Sequence, residues 1–353
     1  MRRRTLLGSV LAAASMPAAI VSAGRARAEA EPQLTVVSWG GSYQDGQSKS
    51  LFQPAAKALG ISIKEETYTG LAELRMREKS GAVTWDVVCT GSGTGARAGA
   101  EGLLEQLDYK VIDVADFIPG AWAPYYVGGD AFSTVVAWNT KTYGDAGPQN
   151  WVDFWDVKKF PGTRSYRNTV TLEPALIADG VPLDKIYQVL SAPGGIERAI
   201  KKLEELKPHI AVWWSSGAQS AQLMMDGAVD MVMGWNGRFD VAKQAGAKVA
   251  YTFNQAMLDY DCYVIPKGAP HKDLAMKFIA EISKPQYQAA LTKYITYGPT
   301  NKKAYDIGSI PADYAATLPS SPSNVARQFV IDDGWYMKFD QKASQAYQNM
   351  MTQ

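Results

Sequence analysis

Strand-like and helix-like segments alternate along this chain from residue 34 onward, and this alternation limits the possible folds more than any other feature. The first five predicted segments are strand, helix, strand, helix and strand, over 34–39, 45–59, 61–68, 71–79 and 85–90. Such alternation is typical of an α/β fold in which helices cover both faces of a parallel sheet. Ligands of these sheets lie beyond the carboxyl ends of the strands, where this chain has Trp39 and Ser92.

A second α/β unit follows the first. Residues 132–139 are a predicted strand that leaves the first unit, and 140–148 are polar and glycine-rich. From residue 151 the alternation resumes, with an amphipathic helix predicted over 195–206. About 325 residues remain after the N-terminal segment, which exceeds what one hydrophobic core usually supports. We therefore expect two lobes.

The N-terminal segment 1–28 reads as a signal peptide. Three arginines at positions 2–4 precede an apolar run over 6–23, and Ala26-Arg27-Ala28 forms a cleavage box. We interpret it as a twin-arginine signal, with an ordinary secretory signal as the alternative, and predict a periplasmic protein. Removal of residues 1–28 takes away five arginines and leaves four more acidic than basic residues in the mature chain. This charge does not indicate a nucleic acid or an anionic membrane as partner.

The two cysteines, Cys89 and Cys262, lie in apolar strand-like runs. Two buried free thiols are the preferred interpretation. A disulfide is the alternative, since the periplasm is oxidising.

The usual signs of catalysis are missing from the sequence. The two histidines, His209 and His271, have no second ligand at metal spacing. The glycine-rich stretch 91–95 lacks the ending of a phosphate-binding loop, and we predict a turn there. It is either a plain tight turn or one that brings backbone N–H groups to a ligand. We expect a binding protein without a metal or a cofactor, and a secreted hydrolase is disfavoured.

Five short segments resemble the polyamine-type solute-binding proteins of ABC importers. They are 38–43 (SWGGSY), 86–88 (DVV), 234–237 (GWNG), 261–266 (DCYVIP) and 297–301 (YGPTN). The resemblance implies a type II periplasmic binding fold, in which two α/β lobes are joined by a two-strand hinge and enclose a ligand cleft. It also implies a monomer that delivers its ligand to a membrane permease. The implied ranges are 31–138 with 260–305 for lobe one, and 139–259 with 306–353 for lobe two.

The resemblance also implies a ligand shell of aromatic side chains. Trp39, Tyr43, Trp235 and Tyr297 fall at strand ends or in glycine-rich turns. In the family, the matching rings surround an alkyl-ammonium chain, whose charge is attracted to their faces. Core packing is the alternative for each ring. Hydroxyl groups for hydrogen bonds to the ligand are expected from Ser92 and Ser215.

Two charged residues suggest which ligand is selected. Asp261 lies in an apolar strand, where a carboxylate needs a partner, and the family's matching carboxylate takes a ligand amine. Arg238 departs from the polyamine pattern, because a guanidinium favours a carboxylate and repels a second amine. We therefore predict a small zwitterionic amino acid, γ-aminobutyrate above all, and the chain resembles the γ-aminobutyrate-binding members of the family.

Several alternatives remain open for this ligand shell. Asp261 and Arg238 each have a purely structural role as the alternative. Asp261 would then form a salt bridge, and Arg238 would pair with Glu173 or another acidic residue of lobe two and face away from the cleft. In a polyamine receptor, Glu173 and Asp261 would instead take the two amines. An aromatic box also suits betaine or another quaternary amine.

Overall fold

The computed structural model describes residues 32–353, and the predicted signal segment 1–28 lies outside them. Within this range, eleven strands join into a single mixed sheet with the order β2-β1-β3-β9-β5-β8-β6-β7. Three short strands lie at its sides, β4 and β10 on β5 and β11 on β9. The strands are β1 Gln33–Ser38, β2 Ser62–Thr67, β3 Val87–Gly91, β4 Trp122–Ala123, β5 Tyr126–Asn139, β6 Arg164–Arg167, β7 Ile210–Trp214, β8 Met231–Trp235, β9 Val249–Val264, β10 Gly298–Pro299 and β11 Phe329–Val330.

The α-helices connect these strands. They are α1 Gly41–Gln47, α2 Gln53–Leu59, α3 Leu71–Lys79, α4 Ser92–Ala100, α5 Thr140–Tyr143, α6 Trp151–Trp155, α7 Glu173–Ala178, α8 Ile186–Ser191, α9 Gly195–Leu206, α10 Gly217–Met225, α11 Asn236–Gln244, α12 Lys272–Ile282, α13 Pro285–Leu291, α14 Ala312–Ala315, α15 Pro322–Val325 and α16 Asp333–Thr352. A π-helical stretch, Ser48–Phe52, joins α1 to α2. Short 3₁₀ turns cover Leu183–Lys185, Lys207–His209 and Lys302–Tyr305.

The sheet is parallel at both ends and antiparallel in the middle. Strand β1 pairs in parallel with β2 and β3, and β6 pairs in parallel with β7 and β8. Between them, β5 and β9 run antiparallel to each other and to their outer neighbours. The expected parallel sheet is therefore correct for the two ends and wrong for the centre. The two central strands hold the parallel ends in one sheet.

The two central strands are long, and their register shifts twice. At about 3.3 Å per residue, the sixteen residues of β9 span roughly 50 Å. One shift lies between Gly128 and Asp130, and the other between Thr134 and Val136. The five residues between the shifts, Asp130–Thr134, are called the central segment below.

The two largest groups of buried apolar side chains lie toward the two ends of the sheet, one on each side of its centre. One group joins β1 and β3 to the end of β9 and to α12, with Val36, Phe52 and Phe278 fully buried. The other joins α6, α7 and α9 to the C-terminal helix, with Trp151 fully buried. Helix α9 illustrates how the sequence places a helix against such a group. The positions that it buries, among them Ala199 and Leu203, recur at helical spacing and so form one apolar face.

The glycine-rich stretch 91–95 is not the predicted turn. Gly91 ends β3 and Ser92 begins α4, so Gly93 and Gly95 lie in the helix where it packs closely on other elements. A Cβ at Gly95 would stand 3.3 Å from the sulfur of Cys262, and one at Gly99 would overlap the Tyr125 ring. Close packing, and not chain reversal, is the reason for the glycines.

Both thiols are buried and free, as predicted. Among the described residues, no helix is both long and apolar enough to span a membrane.

Candidate functional site

Trp39 follows β1 and reaches across to the central strands. Gly40 and Gly41 have φ values of 75° and 60°, which turn the chain directly from the strand into α1. The Trp39 ring is 41% exposed and stacks on Tyr68, with ring centroids 4.9 Å apart. Its Nε1 donates a hydrogen bond of 3.0 Å to Oδ1 of Asp261. The predicted site residues Trp39 and Asp261 therefore come together.

Asp261 is paired with a second carboxyl group. In the β5–β9 ladder it lies directly opposite Asp130, which is buried and whose Oδ2 accepts a 2.6 Å hydrogen bond from Tyr43. Burial raises the pKa of Asp130 well above its usual value, and the neighbouring Asp261 raises it further. Burial also raises the pKa of Asp261 to about 7, although the Trp39 hydrogen bond opposes the rise. Two carboxyl groups this close disfavour a second negative charge, so the pair holds a proton more readily than either acid alone, and its ionised member attracts a cation.

Aromatic rings line the site in a continuous row. Tyr43 lies 6.2 Å from Tyr297, which lies 5.5 Å from Phe132, with all distances between ring centroids. Phe132 in turn lies 6.1 Å from Trp235, and Trp235 lies 5.5 Å from Trp214. The structure thus brings together three of the four predicted rings, and Phe132 provides the link between Tyr297 and Trp235. Such a row covers methylene groups and attracts cations to its faces.

Arg238 lies at the start of α11, one helical turn after Trp235. Its side chain is exposed, and it forms no ion pair or hydrogen bond within residues 32–353. Its Cγ stands 3.3 Å from the position of a Cβ at Gly217, against which Trp235 also packs. Burial raises the pKa of Tyr297 and Asp261, and the charge of Arg238 opposes both rises. The guanidinium therefore lies within electrostatic reach of the acidic residue and of the aromatic row.

Glu173 is not the partner of Arg238. Its side chain is fully buried, and its carboxylate accepts hydrogen bonds from Tyr187, from Tyr336 and from the main-chain nitrogen of Leu172. The alternative ion pair of Arg238 with Glu173 is therefore wrong. The same contacts exclude Glu173 as the partner of a polyamine amine.

The two predicted serines have different surroundings. Ser92 is buried, and its hydroxyl donates a 2.9 Å hydrogen bond to Oδ1 of Asp259. The Ser92 hydroxyl therefore orients the Asp259 carboxylate, whereas a hydrogen bond to the ligand is predicted for it. Ser215 is exposed beside Trp214, and its hydroxyl lies 3.3 Å from Oε1 of Gln219.

Three charged residues near this site were missed by the sequence reasoning. Asp259 lies two residues before Asp261, on the same face of β9. Asp333 begins α16, and burial together with Asp259 raises its pKa to about 7. Arg167 ends β6, and its Cζ lies 5.3 Å from the centroid of the Trp235 ring. No local sequence signal marked them, because their significance comes from strands that are distant along the chain.

The described part of the chain has no cluster of three or more His, Cys, Asp or Glu side chains placed to hold a metal ion. His271 lies at the start of α12, where its Nδ1 is 3.2 Å from Oδ1 of Asp86.

Residues 50–318 match the family model described as bacterial extracellular solute-binding protein. The chain belongs to this family. Its members bind solutes, and this chain is accordingly a binding protein and not an enzyme.

Three relatives illustrate the family membership. The γ-aminobutyric acid-binding protein of Pseudomonas aeruginosa is 36% identical over 327 residues, which cover 91% of this chain and 92% of that protein. The solved structure of MotA from A. tumefaciens B6, in complex with glucopine, is 46% identical, with a TM-score of 0.81 over 90% of this chain and 99% of that one. An ABC transporter substrate-binding protein from Bradyrhizobium japonicum USDA 110 is 44% identical, with a TM-score of 0.85 over 91% and 99%. These likenesses agree with the expected type II fold and with an ABC importer as the destination of the ligand.

Proposed function

We propose that the protein binds a small zwitterionic amino acid, γ-aminobutyrate first of all, and delivers it to the permease of an ABC importer. The observation that carries the proposal is the row of aromatic rings, which has the Asp130–Asp261 pair beside its Tyr43 end and Arg238 packed with Trp235 beside Gly217. Asp261 would take the ligand's ammonium group, and Arg238 would take its carboxylate.

The charges explain why a zwitterion is preferred to a diamine. Each charge-assisted hydrogen bond contributes roughly 1.5–3 kcal/mol. A diamine gains this at Asp261 but meets like charge at Arg238. The methylene chain between the two ends would lie against Tyr297 and Phe132, whose ring faces cover apolar groups. The relative from Pseudomonas aeruginosa, named for γ-aminobutyric acid, supports this ligand.

Glucopine is a second candidate ligand. It is the ligand in the structure of the 46% identical relative. The site also offers more polar groups than a four-carbon zwitterion needs, because Asp259, Asp333 and Arg167 lie beside the proposed clamp. A ligand with more hydrogen-bonding groups would use them.

The two groups of buried side chains support the division into lobes. We propose that 31–138 with 260–305 and 139–259 with 306–353 move as two bodies that close around the ligand through β5 and β9. We further propose export to the periplasm through a twin-arginine signal in residues 1–28, and function as a monomer. Light scattering of the mature protein tests the monomer.

Calorimetry on the purified mature protein tests the ligand. We expect micromolar or tighter binding of γ-aminobutyrate and no measurable binding of putrescine. Glucopine and betaine are titrated in the same series, and glucopine binding alone would favour the second candidate. Binding of putrescine without any carboxylate ligand would refute the proposal.

Arg238→Asp tests the proposed carboxylate partner. The variant should lose at least tenfold in affinity for γ-aminobutyrate, which corresponds to about 1.4 kcal/mol, and should gain affinity for putrescine. Arg198→Asp is the matched control, because Arg198 lies on α9 and pairs with Asp179, away from the aromatic row. Unchanged affinities in Arg238→Asp would show that Arg238 lies outside the site.

A further inference from the structure

Arg167 is held against the aromatic end of the site. It is the last residue of β6, and its guanidinium carbon lies 5.3 Å from the ring centroid of Trp235 and 5.7 Å from that of Trp214. The side chain is only partly exposed. Contact with two indole rings holds the guanidinium beside them and leaves its N–H donors to be matched by an acceptor.

The guanidinium of Arg167 has no hydrogen bond and no ion pair within residues 32–353. Arg164, three residues earlier on the same strand, is fully buried and donates to four main-chain carbonyl groups. The carboxylates that face Arg167 are those of Asp259 and Glu173, and neither lies within 4 Å of it. Both are already bonded, Asp259 to Ser92 and Glu173 to two tyrosines. Arg164 is thus a structural arginine, whereas Arg167 lacks an acceptor.

An unpaired guanidinium in a partly buried position destabilises the folded protein, because its charge loses hydration without gaining a partner. The Trp235 ring, which Arg167 covers, also packs near Arg238 beside Gly217. The missing acceptor would therefore lie on the same side of the site as the acidic end of the proposed ligand. A carboxylate matches the fork of donors bidentately.

We propose that Arg167 is a second carboxylate-binding residue of the site, which acts with Arg238 to select ligands that have an acidic end. This inference rests on the proposed function, because it requires a ligand with a carboxylate. It differs from that function in assigning the selection to two guanidinium groups, one exposed on α11 and one held by the tryptophans.

Binding of γ-aminobutyrate, glucopine and putrescine to Arg167→Gln tests the inference by calorimetry. The variant should lose roughly tenfold or more in affinity for the carboxylate ligand that the wild type binds, because one charge-assisted contact is removed. Putrescine, which the wild type is expected not to bind, should not bind more weakly to the variant than to the wild type. Arg167→Lys, which keeps the charge but not the fork, should recover part of the loss. Arg198→Gln, on the surface, should bind like the wild type. In Arg167→Gln combined with Arg238→Gln, losses that do not add would indicate one shared carboxylate.

Thermal unfolding without ligand provides a second measurement. Arg167→Met should melt at the wild-type temperature or above it, because it removes an unpaired charge. Arg164→Met should melt several degrees lower, because four carbonyl groups lose their donor. A fall in Arg167→Met as large as that in Arg164→Met would make Arg167 structural and overturn the inference.

The two proposals fail in different ways. If the wild type binds γ-aminobutyrate and Arg167→Gln binds it within twofold, only the role of Arg167 is wrong. If the wild type binds putrescine and no carboxylate ligand, the proposed function is wrong, and the role of Arg167 falls with it.

Discussion

Ligand affinity should depend on pH near neutrality, because the carboxyl group that we assign to the ligand's ammonium titrates there. Burial raises the pKa of Asp261 to about 7 in the ligand-free protein. With that value, about nine tenths of the molecules carry a protonated Asp261 at pH 6, and about one tenth at pH 8. The amine of the ligand, with a pKa near 10, stays charged throughout.

The size of the effect follows from linkage. An ammonium group binds the ionised form of Asp261, so each molecule that is protonated must first lose its proton. The apparent affinity should therefore rise about tenfold from pH 6 to pH 8, or about 1.4 kcal/mol. Near pH 6, close to one proton should leave for each ligand bound, and near pH 8 very few should leave.

Calorimetry in two buffers of different ionisation enthalpy measures both quantities. Asp261→Asn is the matched variant, because the amide keeps the shape and cannot ionise, and its weaker binding should not vary with pH. A pH dependence that persists in Asp261→Asn would assign the titration to Asp333, whose pKa is also raised to about 7. Constant wild-type affinity from pH 6 to pH 8 without proton release would refute the role of Asp261.

Two further predictions concern the surroundings of the ligand. Asp130 has a raised pKa, so the folded protein binds a proton that the unfolded chain releases, and stability falls as the pH rises above about 4. The melting temperature of Asp130→Asn, relative to that of the wild type, should therefore increase from pH 5 to pH 8. An equal difference between the two proteins at both pH values would contradict this. Gly237→Ala would place a Cβ 2.5 Å from Cε1 of Tyr297 and shift that ring. We expect at least fivefold weaker ligand binding with a small change in melting temperature, measured by calorimetry and thermal unfolding, and unchanged affinity would place Tyr297 outside the site.

Local sequence patterns predicted the helices and strands that are determined by their own residues and not by pairing with distant segments. The helices over 71–79 and 195–206 have the predicted bounds. In 195–206 the apolar residues recur at helical spacing, so the local sequence defines this helix without help from the rest of the fold. Of the two central strands, β5 was predicted too short, as 132–139, whereas β5 covers Tyr126–Asn139 and β9 covers Val249–Val264. Glycines and polar residues interrupt their apolar pattern, and pairing with neighbouring strands supplies the stability that the local sequence lacks.

The site residues differ in the same way: some lie in recognisable sequence segments, and others reach the site only through the pairing of distant strands. Trp39, Trp235 and Asp261 follow recognisable segments at strand ends, and the structure places them together with Tyr43 and Tyr297. Arg167 has no such segment. It becomes a candidate only when β6 lies beside β8, so that Trp235 and Trp214 meet its side chain.

The pairing register of the central segment determines which side chains face the proposed ligand and which face the core. Successive residues of a strand face opposite sides, so Asp259 and Asp261 share one side of β9, while Tyr260 and Cys262 are buried on the other. The two register shifts lie at the ends of the segment, so the irregular strand pairing falls outside it. Substitutions here alter single contacts, but the loss of one residue from the central segment would turn the following side chains of β5 to the opposite face of the sheet. Receptors built on this sheet can therefore change ligand by exchanging side chains. They cannot insert or delete a residue within these five residue pairs without disrupting the site.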